Sequence, residues 1–280
     1  MTPKKILRRP SPDTTPDWGQ NLPPLLRRLY AARGVTSDDQ LTYTLKHLAS
    51  PMDLRGVDRA VALLAEAITS QQRVLVLGDF DADGATSTAV AMLGLGMLGL
   101  NDIDFRVPSR FSDGYGLTPG IIHRLRDEGA LPDLLVTVDN GISAVEGVRA
   151  ARELGIRVVV TDHHLAGETL PEADAIVNPN QPGCPFLSKN AAGVGVMFYV
   201  LTALRKHLRE QGLLPEPQPN LGNLLDLVAL GTVADVAAIR GLNRAFVAQG
   251  LKVMGKRANT GMAALIDASR LKAAPKCSDC

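Results

Sequence analysis

Short apolar runs alternate with longer amphipathic segments through the middle of the chain. The apolar runs, such as "RVLVLGD" and "IRVVVTD", are rich in β-formers and lie at residues 73–79, 103–108, 134–139, 156–162 and 174–180. Segments with apolar residues at helical spacing separate them, near residues 84–99, 117–128 and 143–154. Strands that alternate with helix-length segments are typical of a parallel sheet, and continuously apolar strands indicate cover on both faces. We therefore predict an α/β fold, a parallel β-sheet flanked by helices.

Helical patterns dominate on both sides of this region. Before it, Val57, Ala60, Val61 and Leu64 recur at helical spacing, which predicts a helical lead-in. After Pro185 the helical period returns, at residues 192–212, 221–236 and 243–256. These changes divide the chain into a flexible segment (1–20), a helical lead-in (21–72), an α/β domain (73–240) and a helical end with a tail (241–280).

Composition narrows the classes of protein that fit this pattern. The 280 residues carry a formal net charge of +1 and are 45% hydrophobic, so any basic surface that binds nucleic acid must be local. The longest apolar stretch, residues 89–100, is too short to span a bilayer, which takes about 20 residues. No secretory signal follows the basic N-terminus. We expect a cytoplasmic protein without a membrane partner.

The three cysteines are typical of a reducing compartment. Cys184 stands alone, and Cys277 and Cys280 form a single CxxC pair at the end of the sequence. A structural zinc site usually needs a second pair of ligands, so we interpret the CxxC pair as free thiols.

Acidic and imidazole side chains follow three of the predicted strands. They are Asp79, Asp81 and Asp83 after the first strand, Asp139 after the third, and Asp162, His163 and His164 after the fourth. Because the carboxyl ends of parallel strands meet at one edge of a sheet, we expect these carboxylates to lie close together and to repel one another. Bound divalent cations usually neutralise such repulsion. Carboxylate and imidazole ligands without thiolate suit Mn²⁺ or Mg²⁺, and several carboxylates suggest two ions. Taken singly, each motif could instead be a turn or a helix start.

Six segments together resemble one known family. In order and spacing, "VLGDFDADGATSTA", "VTVDNGIS", "VTDHHL" and "DLVALGTVADV" are similar to the DHH phosphoesterases. The segments "VPSRFSDGYGLT" and "AGVGVMFYV" look like its RecJ members, which are single-strand-specific 5′→3′ DNA exonucleases. The resemblance runs from about residue 22 to about residue 264. It implies that residues 73–240 form a DHH domain, and that the activity is metal-dependent hydrolysis of DNA to 5′-mononucleotides in DNA repair and recombination.

The resemblance also implies roles for individual residues. The ligands of two divalent ions, Mn²⁺ in preference or Mg²⁺, would be Asp81, Asp83, Asp139, His163 and Asp235. The catalytic group would comprise His164 near the cleaved phosphate, Asp162 orienting the histidines and Asp79 beside the ligands. The expected substrate contacts are Arg110, Tyr115, Gly193, Gly195, Asn243 and Arg244. For Arg110 the alternative is a surface arginine, and for the two glycines it is close helix packing.

The same resemblance implies partners for the protein and further domains in its relatives. It implies single-stranded DNA as the substrate, with a single-strand-binding protein and a helicase as further partners. RecJ members continue into a DHH-associated domain and an OB-fold, which we do not find after "LKAAPKCSDC", so we expect a truncated chain. Two alternatives therefore stay open. One is a metal- or DNA-binding fragment with little activity, and the other is a small-substrate phosphoesterase that cleaves pyrophosphate or short oligonucleotides. The RecJ-like middle segments argue against the second.

Overall fold

A parallel sheet forms the centre of the molecule. The computed structural model describes residues 17–41, 43–45, 48–109, 111, 113–270 and 275. Its strands are β1 (Val74–Leu77), β2 (Ile103–Arg106), β3 (Leu134–Val138), β4 (Arg157–Thr161) and β5 (Ala175–Val177). They pair in the order β2-β1-β3-β4-β5, and every pairing is parallel. The predicted α/β fold is confirmed, with each strand shorter than its apolar run.

Helices surround this sheet and extend the chain at both ends. Within the described ranges they are α1 (Pro24–Ala31), α2 (Val57–Thr69), α3 (Ala82–Met97), α4 (Pro119–Asp127), α5 (Val145–Glu153), α6 (Gly193–Glu210), α7 (Leu225–Ala234), α8 (Gly241–Met254) and α9 (Thr260–Ala268). The last was not predicted as a separate helix and lies in the region, residues 241–280, that was expected only as a helical end with a tail. None of these helices is both long and apolar enough to cross a membrane. Most of the predicted flexible segment, residues 1–20, lies outside the described residues.

Successive residues of each strand are buried alternately against two separate layers of helices. One face of the sheet, which includes Val74, Val76 and Val136, packs with α2, α3 and α6. The opposite face, which includes Leu75 and Leu77, packs with α4 and α5. Because both faces are covered, every residue of β1 and of β3 is buried. This explains why these strands read as unbroken apolar runs.

The strand order reverses between β1 and β3, and this places the site. From β1 the chain crosses to β2 on one side, then returns to β3 on the other side of β1. Such a switch point opens a crevice beyond the carboxyl ends of the two strands, where α/β proteins bind ligands. Asn140 spans the crevice, since its Nδ2 donates to the carbonyls of Leu77 (3.1 Å) and Val138 (2.9 Å). The acidic residues after β1 and β3 therefore face each other across a fixed gap.

Candidate metal centre

Acidic and imidazole side chains from four segments converge at this edge of the sheet. His163, two residues beyond β4, stands between three carboxylates. Its Nε2 lies 3.1 Å from Asp139 Oδ1 and 3.8 Å from Asp83 Oδ2, and its Nδ1 lies 4.0 Å from Asp235 Oδ2. Asp139 follows β3, Asp83 lies in the first turn of α3, and Asp235 ends α7. The fold thus joins residues that are far apart in the sequence.

The donors fall into overlapping groups. Each group could hold an ion: Asp79 with Asp81 and Asp139, Asp83 with His163 and Asp235, and Asp139 with His163 and His164. Within a group, one atom of each residue lies within 4.8 Å of the chosen atoms of the other two. Asp139 and His163 each belong to two groups. This overlap suits two neighbouring ions that share a ligand.

Two buried atoms indicate that the centre fits a cation. Asp139 Oδ1 and His163 Nε2 are both buried, and neither makes a hydrogen bond of good geometry with a described residue, although they lie 3.1 Å apart. A buried polar atom without a partner is costly. A divalent ion would satisfy both atoms at once, and carboxylate with imidazole is a donor set that Mn²⁺ and Mg²⁺ accept.

The protonation equilibria show how crowded the negative charge is. Burial raises the pKa of Asp139 to about 8 and that of Asp83 to about 6. Burial alone would lower the pKa of His163, but the carboxylates of Asp139, Asp83 and Asp235 outweigh it and raise that pKa to about 9. Without a cation, the cluster therefore balances its charge by holding protons.

Backbone N–H groups fix two of the aspartates. Asp81 is the N-cap of α3, and its Oδ1 accepts from the N–H of Gly84 at 2.8 Å. Asp83 is buried against the start of α6, where the N–H groups of Gly193 (2.7 Å) and Val194 (2.9 Å) donate to its two oxygens. The positive end of α6 thus favours the ionised carboxylate and holds Asp83 in one orientation, although burial still raises its pKa.

Asp139 occupies a constrained position at the end of β3. Its backbone has φ 61°, in the left-handed region that aspartate tolerates better than most residues. The start of α6 presses against its side chain, because a Cβ at Gly193 would lie 2.5 Å from Asp139 Oδ1. Glycine at this position therefore lets α6 approach closely enough to hold Asp83 without displacing Asp139.

Asp162 organises the turn after β4. Its Oδ1 accepts from the backbone N–H groups of His163 (2.6 Å) and His164 (3.0 Å) and lies 2.8 Å from His164 Nδ1, while its Oδ2 accepts from Ile142 N–H (2.8 Å). Burial would raise the pKa of Asp162, but these hydrogen bonds outweigh it and hold the pKa below its ordinary value. The anion fixes the His164 ring and leaves Nε2 as the ring nitrogen available to a ligand.

Comparison with known proteins identifies the family. The sequence model described as "DHH family, N-terminal domain" matches residues 73–232. The chain belongs to the DHH family. It is 50% identical over 273 residues to the "Single-stranded-DNA-specific exonuclease RecJ" of Salmonella typhimurium, a match that covers 96% of this chain and 47% of the relative. The protein of the same name from Escherichia coli is 51% identical over 265 residues, covering 93% and 46%. The chain spans about half the length of these relatives.

Solved structures agree with this assignment. The structure of an "exonuclease RecJ bound to manganese" matches with a TM-score of 0.69 and 37% identity, covering 80% of this chain and 54% of that one. The RecJ of Thermus thermophilus in complex with Mn²⁺ matches with a TM-score of 0.72 and 34% identity, covering 89% and 34%. The fold of this DHH chain is therefore that of the corresponding part of RecJ.

An open cleft adjoins the DHH turn, residues 162–164. Its volume is about 600 Å³, and segments 115–119 and 141–147 line it together with Asp162 and His164. Tyr115 stands half-exposed at this cleft, and its hydroxyl donates to the backbone carbonyl of Asp139 at 3.3 Å. Its ring packs edge-on against His164 (6.1 Å between centroids) and Phe80 (6.3 Å). Of the predicted substrate contacts in the described chain, Tyr115 is the one whose ring touches a residue of the DHH motif.

Sequence reasoning missed the residues that support the DHH turn from β5. Asn178 Nδ2 donates to the carbonyl of His164 (2.9 Å), and Asn180 Nδ2 donates to that of His163 (2.6 Å). Both lie in "VNPN", directly after β5. The rule that selected the aspartates, polar residues at the carboxyl end of a strand, would also have found these asparagines.

The two glycines of α6 have different surroundings. The N–H of Gly193 is already bound to Asp83, so it is not directed at a phosphate. Gly195 is buried, and a Cβ there would meet the Phe246 ring at 3.5 Å. Close packing therefore requires glycine at position 193 but not at position 195, and the contact of both with substrate stays a prediction.

The remaining predicted residues have these positions. Asn243 is buried and donates to the carbonyls of Asn190 (2.6 Å) and Ala238 (3.1 Å). Arg244 donates to the carbonyl of Gln40 at 2.7 Å. Both make structural contacts, and their role with substrate stays a prediction. Arg110, Cys277 and Cys280 lie outside the described residues, and Cys184 is buried.

Proposed function

We propose that this chain carries the metal-dependent active site of a single-stranded-DNA-specific 5′→3′ exonuclease of the RecJ type. The observation that carries the proposal is the pair of buried atoms Asp139 Oδ1 and His163 Nε2, which lie 3.1 Å apart without a hydrogen bond of good geometry, among further carboxylates at the switch point of the sheet. The relatives that share about half of its residues are named as such exonucleases. Since the chain spans about half the length of these relatives, we propose their activity for this chain.

The residues that would hold the ions come from four elements. We assign Asp81, Asp83, Asp139, His163 and Asp235 to two divalent ions, with Mn²⁺ preferred over Mg²⁺ because imidazole takes part. When bound, the ions would supply Lewis-acid stabilisation of the phosphate and a water of lowered pKa. Asp139 belongs to two of the donor groups, which supports its role as the shared ligand.

Other residues would position the DNA and stabilise charge at the cleaved phosphate. His164 receives its orientation from Asp162, whose carboxylate also raises the pKa of the ring despite burial. A raised pKa keeps more of the ring cationic at neutral pH, which favours negative charge as it develops on the phosphate. Asp79 is buried beside Asp81, with a pKa that burial raises, and would support the ligands. Hydrolysis would form a bond from water oxygen to phosphorus and break the bond from phosphorus to the 3′-oxygen, which takes up a proton, and a 5′-mononucleotide would be released.

Domain division and partners belong to the same proposal. We propose that residues 73–240 act as the DHH domain, that residues 21–72 brace it, and that residues 241–280 end it. Single-stranded DNA would be the substrate, and a single-strand-binding protein and a helicase would be partners of the complete system. The hydrogen bond from Arg244 to Gln40, which joins the end of the chain to the lead-in, supports a bracing role.

The test uses end-labelled single-stranded DNA with Mn²⁺, beside pyrophosphate and a dinucleotide. The wild-type chain should release mononucleotides from the 5′ end, and Asp139→Asn should abolish this, since it removes charge without changing volume. Asp226→Asn is the matched control, because Asp226 is a buried carboxylate outside the cluster.

The outcomes separate the alternatives. Manganese binding without cleavage of any of the three substrates would favour the fragment, and turnover of pyrophosphate or the dinucleotide alone would favour a small-substrate phosphoesterase. Undiminished exonuclease activity in Asp139→Asn would refute the proposed site.

A further inference from the structure

A second cleft lies between the lead-in and the loop that follows α7. Its volume is about 500 Å³, within the range of ligand sites. Arg33 and Gln40 of the lead-in line it on one side, and Ala238, Arg240 and Arg244 line it from the other segment. No carboxylate of the described chain lines it. Because the net charge of the whole protein is only +1, this is a local concentration of positive charge.

Two of these arginines are available to a ligand. Arg33 and Arg240 are exposed, and within the described ranges neither makes a side-chain hydrogen bond or ion pair. Arg244 is fixed instead, since Nη1 donates to the Gln40 carbonyl at 2.7 Å and its guanidinium lies 5.2 Å from the centre of the Tyr30 ring. Like charges held together without counter-charge repel, and an anion relieves that repulsion.

Direct contacts connect this cleft to the metal centre. Asn243 joins Ala238, in the cleft wall, to Asn190 through its two hydrogen bonds of 3.1 and 2.6 Å. The segment from Asn190 leads into α6, where Gly193 holds Asp83. On the other side, Ala238 follows Asp235 by three residues. The cleft is therefore built beside the segment that carries Asp235, and Asn243 connects it to the segment that leads to the hydrogen-bond donor of Asp83.

We propose that this arginine cleft binds backbone phosphates of the DNA strand, at nucleotides other than the one being cleaved. The identity of the polyanion rests on the proposed function. Guanidinium groups bind phosphate oxygens in bidentate fashion, and arginines on two walls suit successive phosphates better than one small anion. No described aromatic ring lines the cleft, so it contacts the backbone without stacking on bases, and its binding is independent of sequence.

The test measures the affinity of a fluorescently labelled oligothymidylate by anisotropy, with EDTA present to prevent degradation. The double variant Arg33→Ala/Arg240→Ala should raise the Kd about tenfold or more. The slope of log K against log salt should become shallower by about 1.4, since each lost phosphate contact on a single strand contributes about 0.7. The matched control, Arg59→Ala/Arg209→Ala, removes two exposed arginines from α2 and α6 that do not line the cleft. It should bind as the wild type does.

The outcomes test this inference apart from the proposed function. An unchanged Kd and salt slope in the cleft variant would overturn it, even if the wild type degrades DNA. A variant that loses binding of inorganic phosphate but keeps binding of the strand would overturn it in favour of a small-anion site. A wild type that binds the strand through these arginines, yet degrades no DNA with Mn²⁺, would support the cleft and refute the exonuclease. Equal unfolding temperatures of both double variants exclude misfolding as the cause.

Discussion

Replacing Gly193 by alanine tests how tightly the metal centre is packed. A Cβ at this position would lie 2.5 Å from Oδ1, 2.7 Å from Cβ and 2.8 Å from Cγ of Asp139. Carbon atoms in van der Waals contact lie about 3.5–4.0 Å apart, so α6 and Asp139 must separate by roughly 1 Å. Asp139 is buried and its backbone is already in the left-handed region, which leaves it little room to move.

The magnitude follows from two opposing effects. Forcing one methyl group into a packed site costs about 1–3 kcal/mol, whereas exchanging glycine for alanine in a helix stabilises it by roughly 0.5–1 kcal/mol. We expect Gly193→Ala to lower the free energy of unfolding by about 1–2 kcal/mol. The displacement also disturbs the 2.7 Å hydrogen bond from Gly193 to Asp83. Loss of such supporting contacts weakens metal binding by about 10–100-fold.

The assay is titration calorimetry with Mn²⁺, together with thermal unfolding in the presence of EDTA. Gly195→Ala is the matched control in the same helix, because a Cβ there would meet Phe246 at an ordinary 3.5 Å. It should keep wild-type affinity for Mn²⁺ and be neutral or slightly stabilising. A Gly193→Ala variant that binds Mn²⁺ as tightly as the wild type would refute the close packing of α6 on Asp139.

Three further predictions concern charge. Asp162→Asn should lower the pKa of His164, which NMR titration measures. It should also reduce the free energy of unfolding by about 1.5–3 kcal/mol, because the anion accepts several hydrogen bonds. An unchanged His164 pKa would contradict this. Burial raises the pKa of Asp226, so its charge lowers stability as pH rises through the folded-state pKa. Asp226→Asn should therefore raise the Tm at pH 7. This gain should vanish below about pH 4, where the carboxyl group is protonated in the unfolded chain as well. Since the pKa values of metal-free His163 and Asp139 are about 9 and about 8, and ligands bind as neutral imidazole and ionised carboxylate, Mn²⁺ binding near pH 7.5 should release at least one proton. Binding enthalpies measured in HEPES and Tris should then differ, and equal values would count against it.

Sequence alone predicts the sheet and the residues at its carboxyl edge. The strands are unbroken apolar runs because both faces of the sheet are covered, and this pattern can be recognised in the sequence without knowledge of the tertiary structure. Asp79, Asp139 and Asp162 each follow such a run directly, so parallel topology is enough to bring them to one edge. The same rule, applied to β5, would have added Asn178 and Asn180.

Other parts of the centre depend on packing that no local pattern contains. Asp235 ends a helix whose residues are mostly buried, and nothing in its neighbourhood distinguishes it from Asp226 in the first turn of the same helix. The contact of Asp83 with the start of α6 joins residues 110 positions apart. Glycines at residues 193 and 195 look equivalent in the sequence, yet one touches Asp139 and the other Phe246.

The hydrogen bonds at the centre indicate where a cation is needed. Backbone N–H groups bind the carboxylates of Asp81, Asp83 and Asp162, so the fold itself compensates much of their charge. Asp139 Oδ1 and His163 Nε2 are buried without such a donor or acceptor. The backbone thus compensates these three carboxylates, whereas Asp139 Oδ1 and His163 Nε2 face each other at 3.1 Å, which marks the space between them as the position of a ligand. Because both atoms are donors of electron pairs when His163 is neutral, that ligand is a cation, and the shared donor groups around them accommodate a second one.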